Sequence, residues 1–504
     1  MPNPTAAAPG IGALARHTGW NLAGQVLPLG VALVAVPMLI HLLGLERFGF
    51  LSLAWALVGY ASLFDFGIGR ALTRAVAQRL ALADMAGSHA LTATAMVYLR
   101  ALGLALALLL AATSHWLAHA VFQLSPALRT EAVQALWLLA ASLPFVMASG
   151  GHVGVLSAHQ RFREINLVRL FIGAATFAGP LLVALAWPRL DSVVAAIVAM
   201  RVLANAAYAR LAARHRGAAP WIQWPDRALS HELLAVGGWM SVSSLVGPLL
   251  TYLDRLLLAA IVPVKAVALY TTPYDLLSRT MMLPYSLTST LFPLAAGVAV
   301  RSEAAARLLG ATTRALFVLS FPLTLAFWAL SEPMLRLWLG AEMAAGSSAV
   351  LRVLALGMLL NALAQGPATL IQARGDPKWM ALLHLAELPL FCGLFWALSA
   401  RWGVLGAAVA AGLRLGVDAL AVFVLAWRGV ARRPAKLGSA LRWAAGAMAL
   451  LAGGLLPQTG PAALAYTMVG LGLFGTLAWR HLLTAQERHH LRSALGRADG
   501  PIRP

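Results

Sequence analysis

The chain has 504 residues, 60% of them hydrophobic and only 11% charged. Soluble domains carry about 25% charged residues, so an ordinary soluble protein is excluded and a membrane protein is indicated. The formal net charge of +20 would suggest a nucleic-acid partner in a soluble protein; in a membrane protein, the placement of the cations decides its meaning. One cysteine, Cys392, leaves no internal disulfide framework and no Cys-based zinc site of the usual kind.

A membrane-crossing helix needs about 20 mostly apolar residues. After a cytoplasmic N-terminus at 1–17, fourteen such runs follow in chain order at 18–43, 48–68, 89–113, 132–155, 165–187, 191–212, 236–261, 266–292, 309–330, 347–371, 379–399, 403–427, 440–456 and 463–482. The first lacks a small-residue cleavage site after a short apolar core, so it reads as a retained helix and no signal peptide is expected. The predicted fold class is all-α integral membrane, with about 14 transmembrane helices.

With both termini cytoplasmic, 26 of the 38 Lys and Arg residues fall in inner joints, six (Arg47, Arg129, Arg189, Lys265, Arg336 and Arg401) in outer joints, and six within spans. That bias sets the expected orientation and accounts for most of the net charge without a nucleic-acid partner. The longest outer joints, 114–131 and 331–347, are too short for a soluble catalytic domain. They contain no Gly-rich phosphate loop, no His-Glu-x-x-His and no Gly-x-Ser-x-Gly. No enzymatic activity, cofactor or metal site is expected, and the scattered His41, His152, His489 and His490 read as interfacial or solvated side chains.

The sequence repeats itself. "LERFGFLSLAWAL" from Leu45 aligns with "VKAVALYTTPYDL" from Val264, a shift of 219; "LSAHQRFRE" from Leu156 aligns with "IQARGDPKW" from Ile371, a shift of 215. At a shift of 213, "AMRVLANA" with Arg201 and Asn205 aligns with "GLRLGVDA" with Arg414 and Asp418. Three ordered matches with a nearly constant shift predict two homologous six-helix lobes, at 18–212 and 236–427, joined by a cytoplasmic linker at 213–235. Two extra helices within 440–482 and a basic cytoplasmic tail at 483–504 complete the expected organisation. An even number of spans per lobe makes the repeats parallel about an axis along the membrane normal, with a central substrate cavity, which is a transporter architecture.

The stretches "LGLERFGFLSLAWALVGYASLFDFGIGRALTRAVA", "TYLDRLLLAAIVPVKAVALYTTPYDLL" with its Asp254–Arg255 pair, and "LFPLAAG" near 291–297 resemble the polysaccharide-biosynthesis branch of the multidrug/oligosaccharidyl-lipid/polysaccharide exporter superfamily. The resemblance runs through nearly the whole chain. It implies a flippase that moves undecaprenyl-diphosphate-linked oligosaccharides, such as O-antigen or exopolysaccharide repeat units, from the inner to the outer face of the bacterial inner membrane. The implied partners are that polyprenyl-diphosphate-linked oligosaccharide, membrane lipid, and a polysaccharide polymerase with its chain-length proteins.

Charges inside a membrane cost about 2.5–3.5 kcal/mol each on insertion scales and persist when paired or facing a polar space. The spans hold Arg100, Arg201, Arg255, Arg279, Arg352 and Arg414 against Asp254, Asp275, Glu387 and Asp418, with Asp65 at the inner edge of the second span. Arg414 and Asp418, four apart, are expected to neutralise each other, and Arg201 recurs as Arg414 and reads as structural. Arg352 is close enough to its helix end to snorkel. Counting back from the 262–265 turn puts Asp254 and Arg255 level with Pro273–Asp275, within reach of an Arg255–Asp275 pair that competes with Asp275–Arg279. At a shift of 219 the first half offers Ala35, Val36, Ala56 and Tyr60 instead, so the charges are a ligand feature more readily than a fold feature.

The candidate substrate-binding residues are therefore Arg255, Arg279 and Arg100 for the diphosphate, through the planar donor fork of arginine, and Asn21, Gln25 and Tyr60 for sugars. Asp254 and Asp275 are candidates for ion coupling or charge pairing, and Asp65 and Arg70 for a gate or inner rim. Pro248, Pro273 and Pro284 add potential helix breaks. The alternative of a cation-coupled multidrug exporter on the same fold calls for an acid-lined pocket, which the arginine excess opposes. A membrane polymerase would need a long polar outer loop, which is missing. No nucleotide-binding motif is found, leaving an ion gradient, the membrane potential or removal of product as the driving force.

Overall fold

The computed structural model describes residues 11–61, 68–215, 229–231, 253–296, 302–373, 377–428, 437–456, 459–485 and 488. Among them the chain is almost wholly helical and holds no strand, only an isolated bridge between Gln123 and Pro263. The helices in order are α1 (Ile11–Ala61), α2 (Ile68–Ala81), α3 (Met85–Trp116), α4 (Pro126–Ala158), α5 (Phe162–Ala186), α6 (Leu190–Ala213), α7 (253–261), α8 (Val264–Thr280), α9 (Met282–Ala296), α10 (Glu303–Ala329), α11 (Ser331–Leu339), α12 (Ala341–Ala373), α13 (Pro377–Arg428), α14 (Leu437–Gly453) and α15 (Gly460–Leu477). Nine described helical stretches are long and apolar enough to cross a membrane; two of them each hold two predicted spans, so together they account for eleven of the fourteen. Most of the 213–235 linker, residues 236–252 with Pro248, and most of the 483–504 tail lie outside the described residues.

The solvent these helices are built for is lipid. Leu104, Leu108 and Leu109 on α3, Phe171 and Leu182 on α5, Leu390, Val417 and Leu420 on α13, and Met468 and Val469 on α15 are exposed large apolar side chains. A soluble monomer does not display such continuous apolar faces, whereas a bilayer covers them at no cost. Hydroxyls inside the spans turn back onto their own helix: Thr92 donates to the Ser88 carbonyl at 2.8 Å, Thr324 to that of Ser320 at 3.1 Å and Thr467 to that of Ala463 at 2.7 Å.

The chain forms two compact units, 1–268 and 269–504. In the first, α4 is the central helix, packed against α1, α2, α3, α5 and α6. In the second, α12 is central and packs against α9, α10, α11 and α13, while α14 and α15 lie on α10 around Phe317, Phe321, Trp443 and Phe474. These central helices are the most buried of the candidate spans. Each has 33 residues, and α12 starts 215 residues after α4, the shift already found in the sequence.

Three predicted features differ. The span expected over 266–292 breaks at Met281 into α8 and α9, because Pro284 has no N–H for the Thr280 carbonyl and its ring clashes there; Pro273 does not interrupt α8. The joint after the second span contains α2, an amphipathic helix that buries Ala71, Leu72, Ala75 and Val76 and leaves Arg74 exposed. The outer joint near 331–347 contains the short helix α11.

Two sharp turns divide long helices into two arms each. Gly44 has φ 77° and ψ 165°, and Gly403 has φ 57° and ψ −133°, conformations that a side chain opposes. Gly44→Ala and Gly403→Ala should each lower stability by about 1–3 kcal/mol. Gly393→Ala, at a helical position with open space around it, should leave stability unchanged or raise it by up to about 1 kcal/mol. Thermal unfolding of the purified protein in detergent checks this; equal losses at all three positions would refute the assignment of the turns.

Candidate functional site

The first unit is tied at the end that the Lys/Arg bias assigns to the outer side. Just beyond the Gly44 turn, Glu46 accepts the Ser125 backbone N–H at 2.6 Å and its hydroxyl at 2.9 Å. Arg47 donates through Nε (2.9 Å) and Nη2 (2.7 Å) to the two oxygens of Glu131, which also accepts the Leu190 N–H at 3.0 Å. Two consecutive residues thus join the starts of α4 and α6 to α1 by bidentate, charge-assisted bonds. Beside them lies an open cleft of about 510 Å³, whose charged lining groups are Glu46, Arg129 and Lys265, with His119 stacked on His115 at 4.0 Å. Beyond the last turn of α6, burial pushes the His215 imidazole below its ordinary pKa, helped by His159, whose ring lies 4.5 Å away.

The sequence candidates are placed as follows. Asp254 and Arg255 on α7 are 2% and 4% exposed, and Asp254 Oδ1 accepts the Arg255 backbone N–H at 2.8 Å. They belong to the first unit; Asp275, half-buried, and Arg279, exposed, belong to the second. Arg279 stands in the last turn of α8 beside the break at Met281, where a cation also complements the helix C-terminus. Arg100 and Arg201 are half-buried on α3 and α6. Asn21, Gln25 and Tyr60 lie on α1 and Arg70 on α2, but their side chains, and Asp65 altogether, fall outside the described residues. Arg352 does more than reach for the interface: its Nε donates to the Trp328 carbonyl at 3.3 Å, satisfying an orphan group at the end of α10.

The second unit assembles a cluster that the sequence reading did not. From the Gly403 turn, Glu387 lies 16 residues back along α13 and Asp418 lies 15 residues forward, so the two are level, about 23 Å from the turn at 1.5 Å per residue. They are 7% and 8% exposed. His384, one turn from Glu387, places Nε2 at 3.5 Å from Asp418 Oδ1. The expected Arg414–Asp418 pair does not form: Asp418 faces His384 across the hairpin, and the Arg414 guanidinium lies over the Phe391 ring, 5.3 Å from its centre. Glu387 stands within the electrostatic reach of Asp418, His384 and Arg414, yet neither of its oxygens has a hydrogen-bond donor, nor does Asp418 Oδ1. Counting from Gly403, as was done from the 262–265 turn, would have revealed this level pair.

Residues 14–297 match the family model described as polysaccharide biosynthesis protein. A Shigella flexneri protein named "Putative O-antigen transporter" is 28% identical over 411 residues, covering 80% of this chain and 96% of that protein. Among solved structures, the lipid II flippase MurJ in an inward closed conformation superposes with a TM-score of 0.68 at 12% identity, covering 92% of this chain and 99% of that one. An inward-facing multidrug transporter of the MATE family superposes with a TM-score of 0.63 at 14% identity, over 81% and 97% of the two chains. At such identities the structural likeness is one of fold. The all-helical, multi-pass architecture and a sequence match over more than half of its length make this chain a member of the polysaccharide biosynthesis protein family.

Proposed function

We propose that the protein is a flippase carrying undecaprenyl-diphosphate-linked oligosaccharide repeat units, of O-antigen or exopolysaccharide, from the inner to the outer face of the bacterial inner membrane by alternating access. The observation that carries this reading is the 28% identity extending over 96% of a relative named for O-antigen transport. The charges agree with it: within the spans arginines outnumber acids six to four, which suits an anionic diphosphate and opposes the organic cations of a drug exporter. The protein acts as a transporter rather than an enzyme, and a polymerase with its chain-length proteins would consume the product outside.

The 215-residue shift between α4 and α12 supports two parallel six-helix repeats at 18–212 and 236–427, with both termini cytoplasmic. In a chain with Cys392 replaced by Ala, cysteines introduced in the 213–235 linker and the 428–439 joint should label from the cytoplasm, and those at 114–131 and 331–347 from the periplasm. Cytoplasmic labelling at 331–347 would refute the parallel repeats.

In this reading Arg255 and Arg279 hold the diphosphate, with Arg100 as a further cation. Arg255→Ala and Arg279→Ala should abolish glycan export at unchanged protein level, and Lys should partly rescue at least one of them, because phosphate senses charge first and fork geometry second. A structural arginine would instead leave a buried acid alone at a cost of about 3–5 kcal/mol, and the variants would fail to accumulate.

Asn21, Gln25 and Tyr60 would bond the sugars. Replacing Asn21 and Gln25 by Ala should change which repeat units are exported more than it changes movement of the lipid diphosphate. Equal loss for every glycan tested would refute that division.

A further inference from the structure

We propose that Glu387, Asp418 and His384 form a buried proton-binding site inside the α13 hairpin, apart from the residues assigned to the glycan, and that its occupancy couples transport to the proton gradient. The site itself stands on geometry; the coupling rests on the transporter reading above.

The two acidic residues are level on antiparallel arms and buried, 7% and 8% exposed, with the Asp418 side chain 12% exposed. As ionised groups they can only accept, and neither Glu387 oxygen nor Asp418 Oδ1 has a donor among the described residues. One proton changes this: a protonated Glu387 becomes a donor, and Asp418 is the side chain placed to accept from it. Among the described residues of the cluster the permanent cation is Arg414, which lies over the Phe391 face, so two acids face one positive charge. A single bound proton removes the excess. It resides on Glu387 or, when Glu387 releases it, on His384 Nε2, which then pairs with Asp418 at 3.5 Å. The His384 side chain is 28% exposed, more than that of Asp418 at 12%.

Of the charged residues on the packed neighbours, Arg279 in the last turn of α8 comes to about this depth, two residues before Met281, whose sulfur accepts from Asn361. On α12 the charged residues are Glu342 and Arg352, both toward its first half, with Arg352 bound to the Trp328 carbonyl; the residues nearer this depth are the neutral Asn361 and Gln365. From α8, Tyr270 packs on Phe395 and stacks on Tyr274, with Asp275 and Arg279 farther along that helix. On α13 itself, Lys378, Arg401 and Arg428 stand near the ends of the arms. No three His, Cys, Asp or Glu groups converge as a metal cage among the described residues, which favours a proton over a metal ion. Nor does the fold require these acids: at the repeat shifts of 215 and 213, the first half has Ile172 for Glu387 and Asn205 for Asp418.

The test uses the full-length protein in liposomes. Infrared difference spectra between acidic and alkaline buffer should show the C=O stretch of a protonated carboxylic acid that is lost in Glu387→Gln, shifted in Asp418→Asn, and indifferent to replacing choline by sodium. In parallel, movement of a polyprenyl-diphosphate oligosaccharide is followed under an imposed pH gradient. One proton per cycle shifts the accumulation ratio about tenfold per pH unit in the wild type, and Glu387→Gln should abolish that shift while retaining gradient-independent movement. A wild-type spectrum with no titrating carboxyl, or one whose band follows sodium instead of pH, overturns the site. Equal tenfold coupling in Glu387→Gln overturns the coupling. If the wild type moves no glycan under any gradient, the flippase reading fails, and the infrared arm still decides the proton site.

Discussion

Lipid offers no hydrogen bonds, and nearly every local feature of this structure is an answer to that constraint. Helices satisfy their own backbone, so the described spans are helical throughout. Their ends need further partners, supplied by Asp84 to the Gly87 N–H at 2.8 Å, by Ser302 to the Ala305 N–H at 3.1 Å and by Arg352 to the Trp328 carbonyl at 3.3 Å. Where three elements of the first unit begin or turn, Glu46, Arg47 and Glu131 concentrate the strongest bonds, since an ion pair near the interface escapes most of the desolvation that a buried one suffers.

The same constraint makes the exceptions informative. A charge with no fold duty is selected against by about 2.5–3.5 kcal/mol within a span. Arg352 has such a duty and is accounted for. Asp254 and Arg255, and Glu387 with Asp418, are buried charges, and at the sequence shifts of 219, 215 and 213 the first half carries uncharged residues. In the reading proposed above each cluster answers to a ligand, since Ala35, Val36, Ile172 and Asn205 stand at the corresponding repeat positions.

Hydropathy made the spans legible: the turn at Gly44 falls between two predicted spans, and that at Gly403 falls on the first residue of the span predicted at 403–427. The misses have physical causes. A search for apolar runs passes over α2, whose polar face lowers its average although Leu72 and Val76 are buried, and it runs through Met281, where one proline outweighs the apolarity on either side. Spacing along one helix predicted Arg414–Asp418; the observed partner of Asp418 is on the opposite arm, because spacing cannot weigh a cross-hairpin histidine or an aromatic face against a neighbour four residues away. The side chains of Asn21, Gln25, Tyr60 and Arg70, and Asp65 altogether, lie outside the described residues.

An oligosaccharide repeat unit carries many hydroxyls, and each one stripped of its partners in hydrocarbon costs about 1–3 kcal/mol or more, while a diphosphate costs far more. The barrier to its passage is therefore desolvation, not bond chemistry, and the protein needs donors and cations held within the membrane rather than a catalytic group. Cations that stabilise the diphosphate also lower the affinity of nearby groups for a proton, because like charges repel. A proton-binding site works better away from them, behind aromatic side chains. In the proposed arrangement Glu387 and Asp418 lie on the two arms of α13, and the Arg414 guanidinium lies over the Phe391 ring. In that proposal different residues bind the anion and the proton, so each group keeps its own charge state through the cycle.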